Sequence, residues 1–529
     1  MKRKDPASVK MPKRVTFKQG PAGTRYVYLT VRAYRNARGQ PTSDEAAIGK
    51  LAPDGIRLIP NQRYFELFDA DGHIDQKPES VLAFGDTAVL SVLAKRLKLT
   101  DTLNDTAGHL TPAVLLTAAY MVVQGNVMCH MDTFCQENWA PDGICLDSPR
   151  VSELFEALDF DIRAAFLRRW IALRQEDEYI AYDVTSFSTY SGGIEDAEWG
   201  YNRDEEDLCQ INLGMFLGEE THLPLYYETY QGSIPDKARL SGMMATAQAL
   251  GIKKARFVFD CGFVTKANLS YVNTEHLSFV SALPMSRIEA RALISQAASS
   301  IRSSQNRVNA TGLYAKSYTV ELEGLKVYAH IFFSPHKAAV EEEIVYARVN
   351  RLQRDLEKLD RDTKKIARRY RTYFDVTLKN GGVNFKRDFS KIDAELAQAG
   401  YFILITNDSE LDASGTLVVY RGKDVIEKAF SGMKNYLDFK RMRTHSTVTT
   451  DGKLFTGFIA LILRSAIRRA LSTCEETKTM SVGTALRELH KLKRIAFPDA
   501  SAVYSTVSKT QRDILTALSI DVETLLKMG

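Results

Sequence analysis

The 529-residue chain is 45% hydrophobic and 26% charged, a balance that excludes a disordered or fibrous chain and leaves room for several folded domains. Its net charge of +5 at pH 7 neither requires nor excludes a nucleic-acid partner, so the placement of charge matters more than the sum. The six cysteines are scattered with no CxxC pair, which argues against a disulfide framework and points to reduced thiols.

In chain order, residues 1–18 carry Lys2, Arg3, Lys4, Lys10, Lys13, Arg14 and Lys18 against the single acid Asp5. This start lacks the apolar segment of a signal peptide and reads as a disordered basic arm. Residues 24–70 alternate as short strands between Gly and Pro turns, so 1–75 is expected to be a basic arm and small β-rich module. Residues 76–176 show apolar spacings of three and four and are expected to form a helical domain. Within them, "TPAVLLTAAYMVV" is too short to span a bilayer and reads as a buried helix. Cys129, His130, Cys135 and Cys145 match no common zinc spacing.

The pattern then changes. Strands are predicted at 178–189, 207–218 and 223–232, a helix at 237–251, and strands at 255–263 and 276–284. That order implies a mixed sheet with three antiparallel strands followed by crossovers. Residues 285–400 interrupt it with further strands and a charged helix over roughly 337–370, which a solvated face or a clamp on DNA explains equally. Residues 401–475 complete the core, and 476–529 read as a helical C-terminal region. In "IEKAFSGMKNY", Ile426, Phe430, Met433 and Leu437 make one apolar stripe. Glu427 and Lys434, two turns apart, share a neighbouring face.

Two predicted strands carry aspartates where burial is costly. Asp183 sits within "IAYDVTS", and Asp260 ends "RFVFD" just before Gly262. A carboxylate there requires a partner: a metal ion, an arginine or a backbone amide. Each is, taken alone, more often a cap or turn residue.

The segment "YRGKDVIEKAFSGMK" resembles the Tyr-x2-Arg-x3-Glu-x6-Lys signature of bacterial insertion-sequence transposases with a DDE triad. Tyr420, Glu427 and Lys434 match it, and Lys423 replaces the arginine, losing a planar fork for which Arg421 is the nearest substitute. "YDVTS" and "FDCGF" resemble the first and second aspartate motifs of that group. "YQGSIPDKARL" is similar to a further stretch, with Ser233 where Asn is usual. The resemblance spans roughly 80–500. It implies an α/β fold: a ribonuclease-H-like mixed five-stranded sheet flanked by helices, with strands 1 and 4 adjacent, formed by 177–284 and 401–475. The inserted β-rich and helical domain is 285–400.

The resemblance also implies a catalytic and metal-binding set of Asp183, Asp260 and Glu427 holding two Mg²⁺ ions, with Mn²⁺ able to substitute. Tyr420, Arg421, Lys423 and Lys434 would bind DNA phosphate. The implied partners are double-stranded DNA at terminal inverted repeats and in the target, and a second copy of the chain in a homodimeric synaptic complex, with no membrane. The implied location is the bacterial cytoplasm, alongside the nucleoid. Relatives stack a flipped base on a tryptophan of the insertion, whereas Trp139, Trp170 and Trp199 all lie outside 285–400. His445, in a polar loop, reads as a surface residue within reach of DNA. Two other readings are open: a catalytically silent or co-opted DNA-binding protein of transposase descent, and a two-carboxylate glycosidase.

Overall fold

The computed structural model describes residues 8–529 except 21–23, 36–39, 69–77, 142, 175–177, 253–255, 309–310, 359–367, 380–381 and 498–501. Its centre is a nine-stranded mixed sheet. In chain order the strands are β1 (Tyr179–Thr189), β2 (Cys209–Gly218), β3 (Pro224–Gln231), β4 (Arg256–Phe259), β5 (Ser278–Ala282), β6 (Arg307–Val308), β7 (Leu313–Leu322), β8 (Leu325–Phe333) and β9 (Tyr401–Thr406). They lie side by side as β6-β7-β8-β9-β5-β4-β1-β2-β3.

The first five strands keep the order the sequence anticipates. β1, β2 and β3 form an antiparallel meander, and β4 pairs parallel with β1 on one side and β5 on the other. Parallel neighbours need a crossover, supplied between β4 and β5 by helix α2 (Lys266–Thr274). β3 returns to β4 through α1 (Leu240–Leu250). The sheet does not stop at five strands, because β9 pairs antiparallel with β5 and then carries β8, β7 and β6. The strands at 307–333 therefore belong to the central sheet.

The rest of the inserted stretch forms a lobe with its own small core. Helix Pro335–Glu357, the hairpin Phe374–Lys379 with Gly382–Arg387, and helix Phe389–Leu396 enclose Val345, Val349, Leu352, Tyr373, Phe374 and Ile392. Its entry and exit are adjacent: Phe333 and Tyr401 are ladder partners, and Ser334 N–H bonds the Gly400 carbonyl at 2.9 Å.

One sheet face is covered by α3 (Ala413–Gly422), and α4 (Asp424–Asn435), which follows it, packs beside β1. Helix α5 (Thr447–Thr473) is apolar on nearly every side, because it runs through the core beside the helices Thr111–Gln124 and Ser148–Ala157. Trp170, on helix Phe160–Leu173, is fully buried and donates its indole N–H to the Pro224 carbonyl at 2.8 Å, tying the helical region to β3. Leu99–Gln124 has the length and apolarity of a membrane span. It is broken at Gly108 (φ 55), and its last segment lies in the core.

The N-terminal sheet pairs Val15–Gln19, Arg25–Arg35, Pro41–Leu51 and Leu58–Pro60 around Val9, Val27, Ile48, Leu58 and Tyr64. Of the arm expected to be disordered, 1–7 lie outside the described residues. Val15–Gln19 is a strand because Arg25–Leu29 offers it an antiparallel partner. The C-terminal region, expected to be helical, also contributes strands Lys493–Ala496 and Val503–Tyr504, which join Ser80–Ala83 in a small sheet. Cys135 bonds to the Leu146 backbone, and no metal-ligating cluster of three or more His, Cys, Asp or Glu occurs among the described residues.

Candidate functional site

β1 is buried at every position but one, and that one is Asp183. Tyr182 is the ladder partner of Phe259, so the next residues along these parallel neighbours are Asp183 and Asp260. Strand periodicity places Tyr179 on the same face as Asp183, and Val258 on the same face as Asp260. Tyr179, Val258 and Val280 pack against Val419 and Tyr420 of α3, so both aspartates lie on the face that α3 covers.

Tyr420, Lys423 and Glu427 are spaced by three and four, one helix face, although the helix is interrupted between α3 and α4. Lys423 keeps helical dihedrals at that junction (φ −52, ψ −23), and the face continues across it. Its ammonium lies 2.9 Å from Asp260 Oδ1 and 3.1 Å from Glu427 Oε1. The Tyr420 hydroxyl donates to the same Asp260 oxygen at 3.3 Å. Asp260 is positioned by the tight turn Cys261–Phe263, whose end is held by Asn268 Nδ2 on the Phe263 carbonyl at 2.9 Å.

The electrostatics follow from burial. Desolvation pushes the Asp183 carboxyl up to about 6. A hydrogen bond from Val184 N–H (2.8 Å) and the charge of Lys423 oppose the rise, and Asp260 adds to it. Burial disfavours the Lys423 ammonium, but Asp260, then Asp183 and Glu427, outweigh that and hold its pKa above the usual lysine range. Burial raises the Tyr420 phenol, with Asp260 adding to the effect.

The remaining sequence-predicted residues are placed differently. Arg421, one position from Tyr420, is exposed. Lys434 is buried two turns beyond Glu427 and sits 2.7 Å from Asp204 Oδ2. Desolvation lowers its pKa, while Asp204 opposes the change. His445 is exposed, as expected. Trp199 is exposed, whereas Trp139 and Trp170 are buried.

Several participants escaped the sequence reading. Arg203, whose charge reaches Asp183, is paired with Asp236, which also accepts from the Tyr230 hydroxyl at 2.7 Å. Glu219 lies against the Gly422 α-carbon, where a Cβ would collide with its carboxyl, and burial pushes that carboxyl up to about 8. The signal that could have found Asp204 is charge complementarity, since "RDEED" (203–207) faces a basic run that begins at Lys434.

The donor types fit a hard divalent cation on one observation, although Asp183, Asp260 and Glu427 do not stand together as a metal-ligating group of three in this structure. An ammonium already stands between Asp260 and Glu427 and is drawn by Asp183, so the field among these oxygens selects positive charge. All-carboxylate oxygen donors suit Mg²⁺ or Mn²⁺ rather than a softer metal.

The piggyBac transposase synaptic complex with hairpin DNA, solved by cryo-EM, is similar to the chain at 8% identity and TM-score 0.32, over 78% of this chain and 81% of that one. A search of curated proteins finds no match. The transposase DDE domain family matches residues 174–463, more than half of the chain, a stretch that contains Asp183, Asp260 and Glu427. The chain belongs to the DDE transposase family, whose members act on DNA with divalent metal ions.

Proposed function

We propose that the chain is the transposase of a bacterial insertion sequence, of the group with the Tyr-Arg-Glu-Lys signature. It cuts DNA at terminal inverted repeats and joins the freed ends to target DNA, by a cut-and-paste route. The observation that carries this reading is the side-by-side placement of Asp183 and Asp260 on neighbouring parallel strands, with Glu427 linked to them through Lys423.

Asp183, Asp260 and Glu427 would hold a pair of Mg²⁺ ions, which supply Lewis acidity and a more acidic water when bound. The protein's own residues set the stage. Asp183 is partly buried, whereas the Asp260 and Glu427 side chains are 44% and 58% exposed, so the site is open on the side where a DNA backbone would approach. Tyr420 and Lys423 donate to phosphate oxygens once Lys423 leaves its carboxylates, and Arg421 reaches the backbone from the exposed side. Water is the first nucleophile, and the released 3′-hydroxyl is the second. The N-terminal module, 1–75, is the candidate reader of the terminal repeats. Two ends cut together call for a homodimer on DNA, working beside the nucleoid in the bacterial cytoplasm.

A nicking assay on end-sequence duplex tests the reading. Cleavage is expected with Mg²⁺ or Mn²⁺ and is expected to vanish with EDTA. Asp183→Ala should slow it by about a thousand-fold or more, the scale of removing a charge essential to the transition state. Metal-independent cleavage, or an active Asp183→Ala protein, would overturn the reading. The position of Lys423 between two acids supports a second reading, a silent DNA-binding protein. It predicts DNA binding without nicking under any metal.

A further inference from the structure

Lys434, assigned by sequence to DNA, is occupied by a carboxylate of its own chain. Lys434 begins a basic track with Lys440 and Arg441, about 10 Å past Glu427 along the helix, while Arg443, further on, is held by Asp438. The track's two least exposed cations are covered by one segment. Lys434 Nζ lies 2.7 Å from Asp204 Oδ2, with side chains 11% and 22% exposed, and Arg441 pairs with Glu206.

That segment, between β1 and β2, has no regular secondary structure and carries four consecutive acids, Asp204 to Asp207. It hangs from Asn202, whose Nδ2 donates to Ser188 Oγ at 3.0 Å and whose Oδ1 accepts from Asp204 N–H at 2.9 Å. Glu205 sits at φ 55, a conformation costly for a non-glycine residue and relieved if the turn opens. A buried ammonium cannot lose its anion without another taking its place. A phosphate is such an anion.

We infer that Asp204–Asp207 is an acidic strap that competes with the DNA backbone for Lys434 and Arg441 and swings away when duplex DNA occupies the track. The inference rests on the proposed transposase reading, and deepens it by naming a regulated phosphate-binding surface.

The test is fluorescence anisotropy of a labelled duplex at physiological salt, with the full chain. Asp204→Asn combined with Glu206→Gln is expected to bind about ten-fold tighter than the unaltered protein, because two competing carboxylates are gone. Glu342→Gln with Glu343→Gln, exposed acids on the inserted helix Pro335–Glu357, makes the same change in net charge and is expected to gain far less. Equal gains in both variants, or no gain in the first, overturn the inference. Hydrogen exchange on the unaltered protein gives a second readout that needs no variant. Peptides covering 203–208 are expected to exchange faster when duplex is added, and unchanged or slower exchange overturns the strap. Nicking by the unaltered protein separates the two proposals. A protein that nicks while the first variant binds no tighter loses only the strap, and one that never nicks loses the transposase reading.

Discussion

β1 and the N-terminal strand Arg25–Arg35 have the same length, eleven residues, and each is paired on both edges, yet they differ in every other respect. β1 is buried at all positions except Asp183, while in Arg25–Arg35 only Val27 is buried. In β1 the one charged residue marks the site, because every other position is buried. In Arg25–Arg35 charged and aromatic residues are the rule, so no one of them marks anything. The contrast teaches that a functional residue is legible where its surroundings make it costly.

Matched substitutions should show the contrast most strongly. Phe187 is fully buried in β1 against Phe439, at 6.0 Å between ring centroids, so Phe187→Ala is expected to cost about 3–5 kcal/mol in denaturant unfolding. Val31→Ala, at a residue 52% exposed, should stay within about 0.5 kcal/mol. Similar costs at the two positions would erase the distinction.

A smaller effect concerns Asp183 itself. Its folded-state pKa lies above the unfolded one, so the folded protein binds a proton more tightly than the unfolded chain. The penalty of ionising it is absent below the unfolded value, grows as pH rises, and is complete above about 6. Asp183→Asn should therefore stabilise the metal-free protein by roughly 1–2 kcal/mol near pH 8 and by almost nothing near pH 4. Thermal melts at both pH values check this. Added Mg²⁺ should raise the melting temperature of the unaltered protein more than that of the variant.

The smallest effect lies in the N-terminal sheet. Glu45 pairs with Lys18 at 2.9 Å on the surface, where solvent and salt screen the pair. Glu45→Gln should leave the melting temperature within measurement error, and a clear drop would mean that this sheet depends on charge as the central one depends on burial.

The same physics explains which parts of the fold the sequence discloses. β1, β2 and β4 read as apolar runs because both faces are covered, and Glu427 and Lys434 read as one face through their spacing. What stays hidden is non-local. β8 is readable as a strand, but nothing near it says that Tyr328–Phe333 will pair with Tyr401–Thr406 and extend the sheet. Ser80–Ala83 and Lys493–Ala496 are four residues each and exist as strands only through one another. Within the site, both aspartates and the glutamate were legible as residue types. The role of Lys423 as their shared counter-ion was not, because it depends on distances between atoms from three separate elements.

The closure at Ser334 and Gly400 makes the lobe of residues 335–399 topologically a long hairpin loop. Because its two stems already face each other, a short turn in its place would let β8 and β9 stay zipped. The central sheet thus tolerates a cargo of variable size at this point, and the chain is built as a scaffold with an interchangeable attachment.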